Sequence, residues 1–173
     1  MKKKYNLALV PVSQTNSVIA LAKKFTNIAD KYILGENSLP HVTLYHFHAE
    51  EKEIDRIWKE VCNVWKEKQL YLRFDHYSCG IFNNIFWISL LPDNMDNLHQ
   101  LHALVANILG LPIKETFDPH MTLINTKNTN YDKEAALIFN SYEPIKDMFA
   151  LVLGKSDDVG QLVNIINQFK TAS

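Results

Sequence analysis

The chain has 173 residues, enough for one domain or a pair of small lobes sharing a core. An apolar fraction of 47% with few Pro and Gly marks a globular chain, and no apolar stretch approaches the roughly 20 residues of a membrane span. The 18 basic and 19 acidic side chains leave a formal charge of −1, which argues against coating long nucleic acid but not against holding one or two phosphates.

Lys2, Lys3 and Lys4 open the chain, but "YNLALVPV" (Tyr5 to Val12) follows as a strand with no small-residue cleavage site. No signal peptide is therefore expected, and the expected location is cytoplasmic. Residues 17 to 34 place Val18, Leu21, Ala22, Phe25, Ile28, Ala29 and Tyr32 at helical spacing, with Gly35 as the stop. "PHVTLYHF" then returns as a strand, and Ile54, Ile57, Trp58, Val61 and Trp65 mark a second amphipathic helix. "QLYLRFDHYSCGIF" and "IFWISLLP" are two strands joined at Asn83-Asn84, a tight hairpin turn. A third helix runs over 94 to 109 through Leu98, Leu101, Val105 and Ile108, closed by Gly110, and "FDPHMTLI" is again a strand. A short helix near 132 to 140 precedes strands at "MFALVLGK" and around "LVNIINQF". Helices and strands alternate, yet several strands are joined by short turns, so the expected class is α+β. Cys62 and Cys79 form no CxxC pattern, so neither a disulfide framework nor a zinc knuckle is indicated.

The two halves, about 1–80 and 81–173, share one plan. Each runs strand, Pro, helix ending Leu-Gly, loop, then Pro-His-x-Thr-Leu on a strand. Pro11 precedes His41 by 30 residues and Pro92 precedes His120 by 28, and Leu34-Gly35 answers Leu109-Gly110. Two copies are too few to stack as a solenoid, so a duplicated β-α-β unit packed as a single domain over 1–173 is expected.

Side chains alternate along a strand, so His41 and Thr43 share a face while Val42 and Leu44 point into an apolar layer. The same parity holds for His120 and Thr122 against Met121 and Leu123. If a pseudo-twofold axis relates the halves, two imidazoles and two hydroxyls converge on one groove. That set suits displacement at phosphorus. One ring accepts a proton from the entering oxygen, the other gives one to the leaving oxygen, and the threonines donate to non-bridging oxygens.

"HVTL" at 41 to 44 and "HMTL" at 120 to 123, each preceded by proline and set 79 residues apart, resemble the paired motifs of the 2H phosphoesterase superfamily. That group includes the 2′-5′ RNA ligase-like proteins and cyclic nucleotide phosphodiesterases. The resemblance implies a bilobal fold, with two antiparallel-type sheets flanking a central cleft and helices outside. It implies metal-independent cleavage or formation of phosphodiesters, often at a 2′,3′-cyclic phosphate, with His41, Thr43, His120 and Thr122 as the catalytic four. In ring opening, His120 is assigned as the water-activating base and His41 as the acid. No cofactor and no metal are expected. The partner is a small nucleotide, a 2′-5′ linked oligonucleotide or an RNA end, with no long duplex, no membrane and a monomeric chain. RNA ligation is the same displacement reversed, and a non-catalytic nucleotide-binding module is the reading from another class.

Other residues take plainer expectations. Tyr45 shares the parity of His41 and Thr43, which suits either stacking a base in the cleft or packing in the core. Phe86 and Trp87 face opposite sides of one strand, with Trp87 assigned to the groove, and Tyr45 and Trp87 are the two residues assigned to substrate binding. His46 and His48 fall on the face opposite His41 if the strand is regular, with no third metal ligand evident. His99 and His102 read as polar residues at a helix-face edge, His76 has no role, Lys23 and Lys24 cover a solvated face, and Trp58 and Trp65 belong to the core.

Overall fold

The strand–helix alternation read from the sequence is present in the computed structural model, which describes residues 1–65 and 69–169. In chain order the elements are β1 (Lys3–Pro11), α1 (Thr15–Lys23), β2 (Tyr32–Ile33), β3 (Val42–Ala49), α2 (Ile54–Val64) and β4 (Gln69–Phe82). They continue with β5 (Ile85–Pro92), α3 (Met95–Leu109), β6 (Met121–Thr126), α4 (Tyr131–Phe139), β7 (Ile145–Ser156) and β8 (Leu162–Gln168).

Hydrogen bonding joins the strands in the order β2-β6-β5-β4-β7-β1-β3, with β8 also on β7 and every pair antiparallel. The two sheets expected from the sequence are thus two arms of one array joined through β4. Gln69 to Phe74 of β4 pair with β7, and Phe74 to Phe82 pair with β5, with a register irregularity between Phe74 and His76. Read outward from the β4–β7 pair, one arm continues β5 then β6 and the other β1 then β3. Each His-x-Thr strand therefore lies antiparallel to the strand that opens its own half. β4, from the first half, completes the arm of β5 and β6, and β7, from the second, completes that of β1 and β3. The helices exchange in the same way, since α1 packs on β6 and α3 on β3.

Apolar faces of the strands and helices meet in one main core, where Leu7, Leu9, Leu44, Phe74, Ile88, Leu98 and Phe149 are all buried. Each such side chain contributes roughly 1.5–3 kcal/mol by leaving water. Trp65 is buried, and Trp58 packs at the core's edge against Phe169. On the other face of β1 and β7, Ala8, Val10, Val152 and Leu162 form a smaller cluster under β8. Local sequence explains the turns. Asn83 and Asn84 both adopt left-handed backbone, at φ 50° and 60°, which suits a two-residue hairpin. Gly110, at φ 64°, ends α3 as expected.

The helix expected over 17 to 34 is shorter in the structure. It starts at Thr15 and ends at Lys23, and Tyr32–Ile33 pair as a strand with β6. Its start is held from across the sheet, because the buried Asp147 carboxylate accepts from Ser13 N, Ser13 Oγ and Gln14 N at 2.7–2.8 Å. Its end reflects competing hydrogen bonds. Thr26 Oγ1 donates to Lys23 O, Thr126 Oγ1 donates to Ile28 O, and Asp30 Oδ1 accepts from Lys127 N at 2.9 Å. Phe25 and Ile28 are still buried, so the apolar spacing survives in irregular backbone. Lys23 and Lys24 are exposed.

Candidate active site

Each His-x-Thr-Leu phrase ends in the same backbone device. Along β1 and β3, Ala8 faces Thr43 and Leu7 faces Tyr45, so Leu44 is an extra residue. Along β5 and β6, Ser89 faces Thr122 and Ile88 faces Ile124, so Leu123 is extra. A bulge of this kind re-aims the residues beyond it. Burial along both strands accordingly runs buried, half-buried, buried, buried, half-buried, buried, from Val42 and from Met121. The bulge overturns the regular-strand expectation for His46. That ring lies on the cleft side with Thr43, and Asn125 takes the equivalent place beyond Thr122.

His41, Thr43, His120 and Thr122 all line one cavity of about 460 Å³. Both histidines sit one residue ahead of their strands, where a shared local contact fixes them. His41 Nδ1 lies 2.7 Å from Leu39 O, and His120 Nδ1 lies 2.8 Å from Asp118 O. A carbonyl can only accept, so each Nδ1 carries a proton and each Nε2 is left for a ligand. Asn6, fully buried on β1, donates from Nδ2 to Thr43 Oγ1 at 3.0 Å, leaving the threonine O–H free to donate.

The two rings differ in their surroundings. His41 is 7% exposed, whereas the His120 side chain is 39% exposed, with Asp118 Oδ2 at 4.0 Å from its Nδ1. Burial pushes the His41 imidazole down to about 4, and the nearby His46 and His120 push the same way. The Leu39 carbonyl and Asp157 oppose this only in part. Burial also lowers His46, helped by Lys4 and Lys114. At neutral pH, His41 is therefore a neutral ring with an open Nε2 lone pair.

The walls divide into an aromatic side and a polar side. Trp87 lines the cavity as expected, while Phe86 on the other face stacks on Tyr131 at 4.5 Å. Gly80 makes room for the indole, because a Cβ there would lie 2.2 Å from Trp87 Cε2. Phe82 joins Trp87 in the wall. Tyr45 borders the cavity, but the bulge turns it toward α3 and into the core. It is 4% exposed, stacks on His102 at 5.2 Å, and donates its hydroxyl to Pro112 O at 2.8 Å. His102 is not an edge residue; it is buried. Its Nδ1 donates to Leu44 O, its Nε2 accepts from Lys114 N, and it stacks on Phe117 at 4.1 Å. His48, His76 and His99 are exposed away from the cavity wall.

Lining groups that carried no sequence signal include Lys114, whose Nζ sits 4.9 Å over the Tyr45 ring, and Gly160 and Gln161 of the β7–β8 turn. Among the described residues no set of three or more His, Cys, Asp or Glu side chains is arranged to hold a metal ion. None of the described helices is long and apolar enough to cross a membrane.

The family model of the 2′-5′ RNA ligase superfamily matches residues 19–148, well over half of the chain. The chain belongs to that superfamily, the 2H phosphoesterases. Membership makes this a protein of the phosphoesterase and RNA ligase-like group. No curated protein sequence matches it at a significant level. Among solved structures, E. coli LigT complexed with 3′-AMP superposes with a TM-score of 0.66 at 14% identity, covering 98% of this chain and 97% of that one. E. coli LigT complexed with phosphate gives 0.65 at 11% identity, covering 97% and 96%. A structure described only as a phosphoesterase gives 0.56 at 12% identity, covering 96% and 97%. At such identities the superpositions speak for the superfamily fold.

Proposed function

We propose that this 2H phosphoesterase hydrolyses a phosphodiester at a nucleotide or RNA end, with a 2′,3′-cyclic phosphate or a 2′-5′ linkage as the reacting group. One observation carries the reading: two His-x-Thr pairs, delivered by opposite arms, line one cavity with both Nδ1 atoms engaged and both Nε2 atoms available.

Burial reverses the roles expected from the sequence. His41 enters neutral and takes a proton from water at Nε2. The water oxygen bonds to phosphorus as the bond from phosphorus to the leaving ribose oxygen breaks. His120, entering as the imidazolium, gives that oxygen its Nε2 proton; His41 then releases to solvent the proton it took, and the more exposed His120 takes one up. Thr43 and Thr122 donate to the non-bridging oxygens as charge builds there. Lys114 adds a cation to the rim, and Trp87 with Phe82 offers a face to a base. The two imidazoles supply both proton transfers, so the scheme asks nothing of a metal.

The bound nucleotide in the LigT complex with 3′-AMP agrees with a small nucleotide as the substrate class. The test is product analysis with 2′,3′-cyclic AMP and with 2′-5′ linked diadenylate, with and without EDTA. Hydrolysis of at least one, unchanged by EDTA, is expected. No cleavage of either by protein that binds nucleotide would make this a binding module. Joining of 2′,3′-cyclic-ended RNA to a 5′-hydroxyl end, without hydrolysis, would make it a ligase.

A further inference from the structure

Between α3 and the second His-x-Thr pair runs a loop, residues 111–119, from which Lys114, Thr116, Phe117 and Asp118 line the cavity. One buried side chain ties this loop to the first pair. The bulge takes Leu44 out of register with β1, and His102 Nδ1 donates to the Leu44 carbonyl at 2.8 Å. The same ring accepts from Lys114 N at 3.0 Å through Nε2, so both its nitrogens are engaged and it carries a single proton. His102 is 1% exposed and stacks on Tyr45 at 5.2 Å and on Phe117 at 4.1 Å. The Tyr45 hydroxyl holds the start of the loop by donating to Pro112 O.

What this anchoring holds at the cavity is an exposed ammonium. Lys114 Nζ sits 4.9 Å over the Tyr45 ring, beside the β3 arm, whereas Trp87 and Phe82 lie on the β4–β5 hairpin of the other. Among the described residues that line the cavity, Lys114 is the only lysine or arginine, and its Nζ forms no ion pair with any described carboxylate. A ring face attracts the charge without using its three N–H donors, which stay open to an anion. The lining carboxylate, Asp118, lies toward His120, with Oδ2 4.0 Å from its Nδ1. In the proposed reaction the two His-x-Thr pairs already bring four side chains to the reacting phosphate. The cavity, at about 460 Å³, is of a size that holds a whole small ligand, so there is room for a further group.

From this we propose that Lys114 is a specificity-determining residue, its ammonium taking a second phosphate one ribose removed from the reacting one. His102 is its positioning residue, acting through the Lys114 backbone. The favoured substrate is then a nucleotide or RNA end that carries a further phosphate, with its base toward Trp87 and its sugar–phosphate chain running to Lys114. The proposal rests on the reading of the cavity as a nucleotide phosphodiesterase site.

Calorimetric binding of adenosine 3′-monophosphate and of adenosine 3′,5′-bisphosphate, read as the ratio of the two affinities, tests it. Wild type is expected to favour the bisphosphate about five-fold, and the preference should shrink as salt is raised. Lys114→Gln should abolish the preference, and Lys114→Arg should keep it. Lys23→Gln, which removes an exposed lysine on α1, should also keep it and so separates Lys114 from the overall charge. His102→Phe retains an aromatic ring for the stack but loses both hydrogen bonds, so part of the preference should go in the folded variant. A preference lost with Lys114 in a protein that cleaves no phosphodiester would keep the subsite and remove the hydrolase reading. If Lys114 serves the reacting phosphate instead, Lys114→Gln weakens both ligands alike and leaves the ratio unchanged. That result, equal binding of the two ligands by wild type, no nucleotide binding by wild type, or the same loss in Lys23→Gln would overturn the proposal. An unchanged ratio in folded His102→Phe would overturn the part given to that ring.

Discussion

Loss of either imidazole proposed as catalytic, His41 or His120, is expected to lower kcat on a 2′,3′-cyclic nucleotide by about 10²- to 10⁴-fold, the usual contribution of one placed proton-transfer group. His120→Ala is the cleaner variant, because that side chain is 39% exposed and its removal leaves the core untouched. His41 is 7% exposed, so His41→Gln is paired with His41→Ala to separate chemistry from packing. The double variant should cost little more than either single one, because an acid and a base serving one displacement act together. Steady-state kinetics with thermal unfolding as a folding control reads all of these. A folded His120→Ala protein with undiminished kcat would remove the assigned pair.

The acid limb of kcat/KM should fall far below the range of an ordinary histidine. His41 is the proposed base, and burial holds it at about 4 in the free protein, against 6.5 for an unperturbed ring. The free enzyme therefore keeps its base unprotonated down to about pH 4. The charged groups around the ring are His46 and His120, which lower it, and Asp157, which raises it. A bound phosphodiester anion also favours the imidazolium, so the corresponding limb of kcat should lie higher than that of kcat/KM. The same shift predicts a stability effect of definite sign. Between pH 6.5 and about 4 the unfolded chain binds the His41 proton and the folded chain does not, so stability falls as pH falls. Across that window the loss amounts to about 3 kcal/mol. Urea unfolding at pH 7 and pH 4 should show a smaller drop for His41→Gln than for wild type. An acid limb of kcat/KM near pH 6.5, with matching urea midpoints for the two proteins, would contradict the role given to His41.

What could be read from the sequence follows the range of the interactions involved. Strands with a buried face and helices with a continuous apolar stripe carry their signal locally, and β5, α2, α3 and α4 lie close to where periodicity puts them. The doubled Pro-His-x-Thr-Leu was legible for the same reason. Its residues are contiguous, and even the contacts that set each ring reach back only two residues. Whatever depended on a distant partner was not. The early end of α1 follows from Asp30 and Ile28 bonding to Lys127 and Thr126 of the other half, which no local pattern displays. Regular-strand parity misplaces His46 because the bulge at Leu44 is a matter of register with β1. The same bulge settles Tyr45 against α3, where parity alone allowed either cleft or core. Lys114 and Gln161 sit in loops with no periodicity and no motif. Only the fold brings them to the cavity wall.

Imidazoles from the two arms are expected to act on opposite sides of one phosphorus, and a crystal structure with a uridine–vanadate complex, which mimics five-coordinate phosphorus, would show whether they do. The expected result places His41 Nε2 and His120 Nε2 each within hydrogen-bond distance of opposite apical oxygens, with Thr43 and Thr122 hydroxyls on the equatorial ones. Vanadate bound through only one of the two His-x-Thr pairs, or bound elsewhere on the protein, would contradict it.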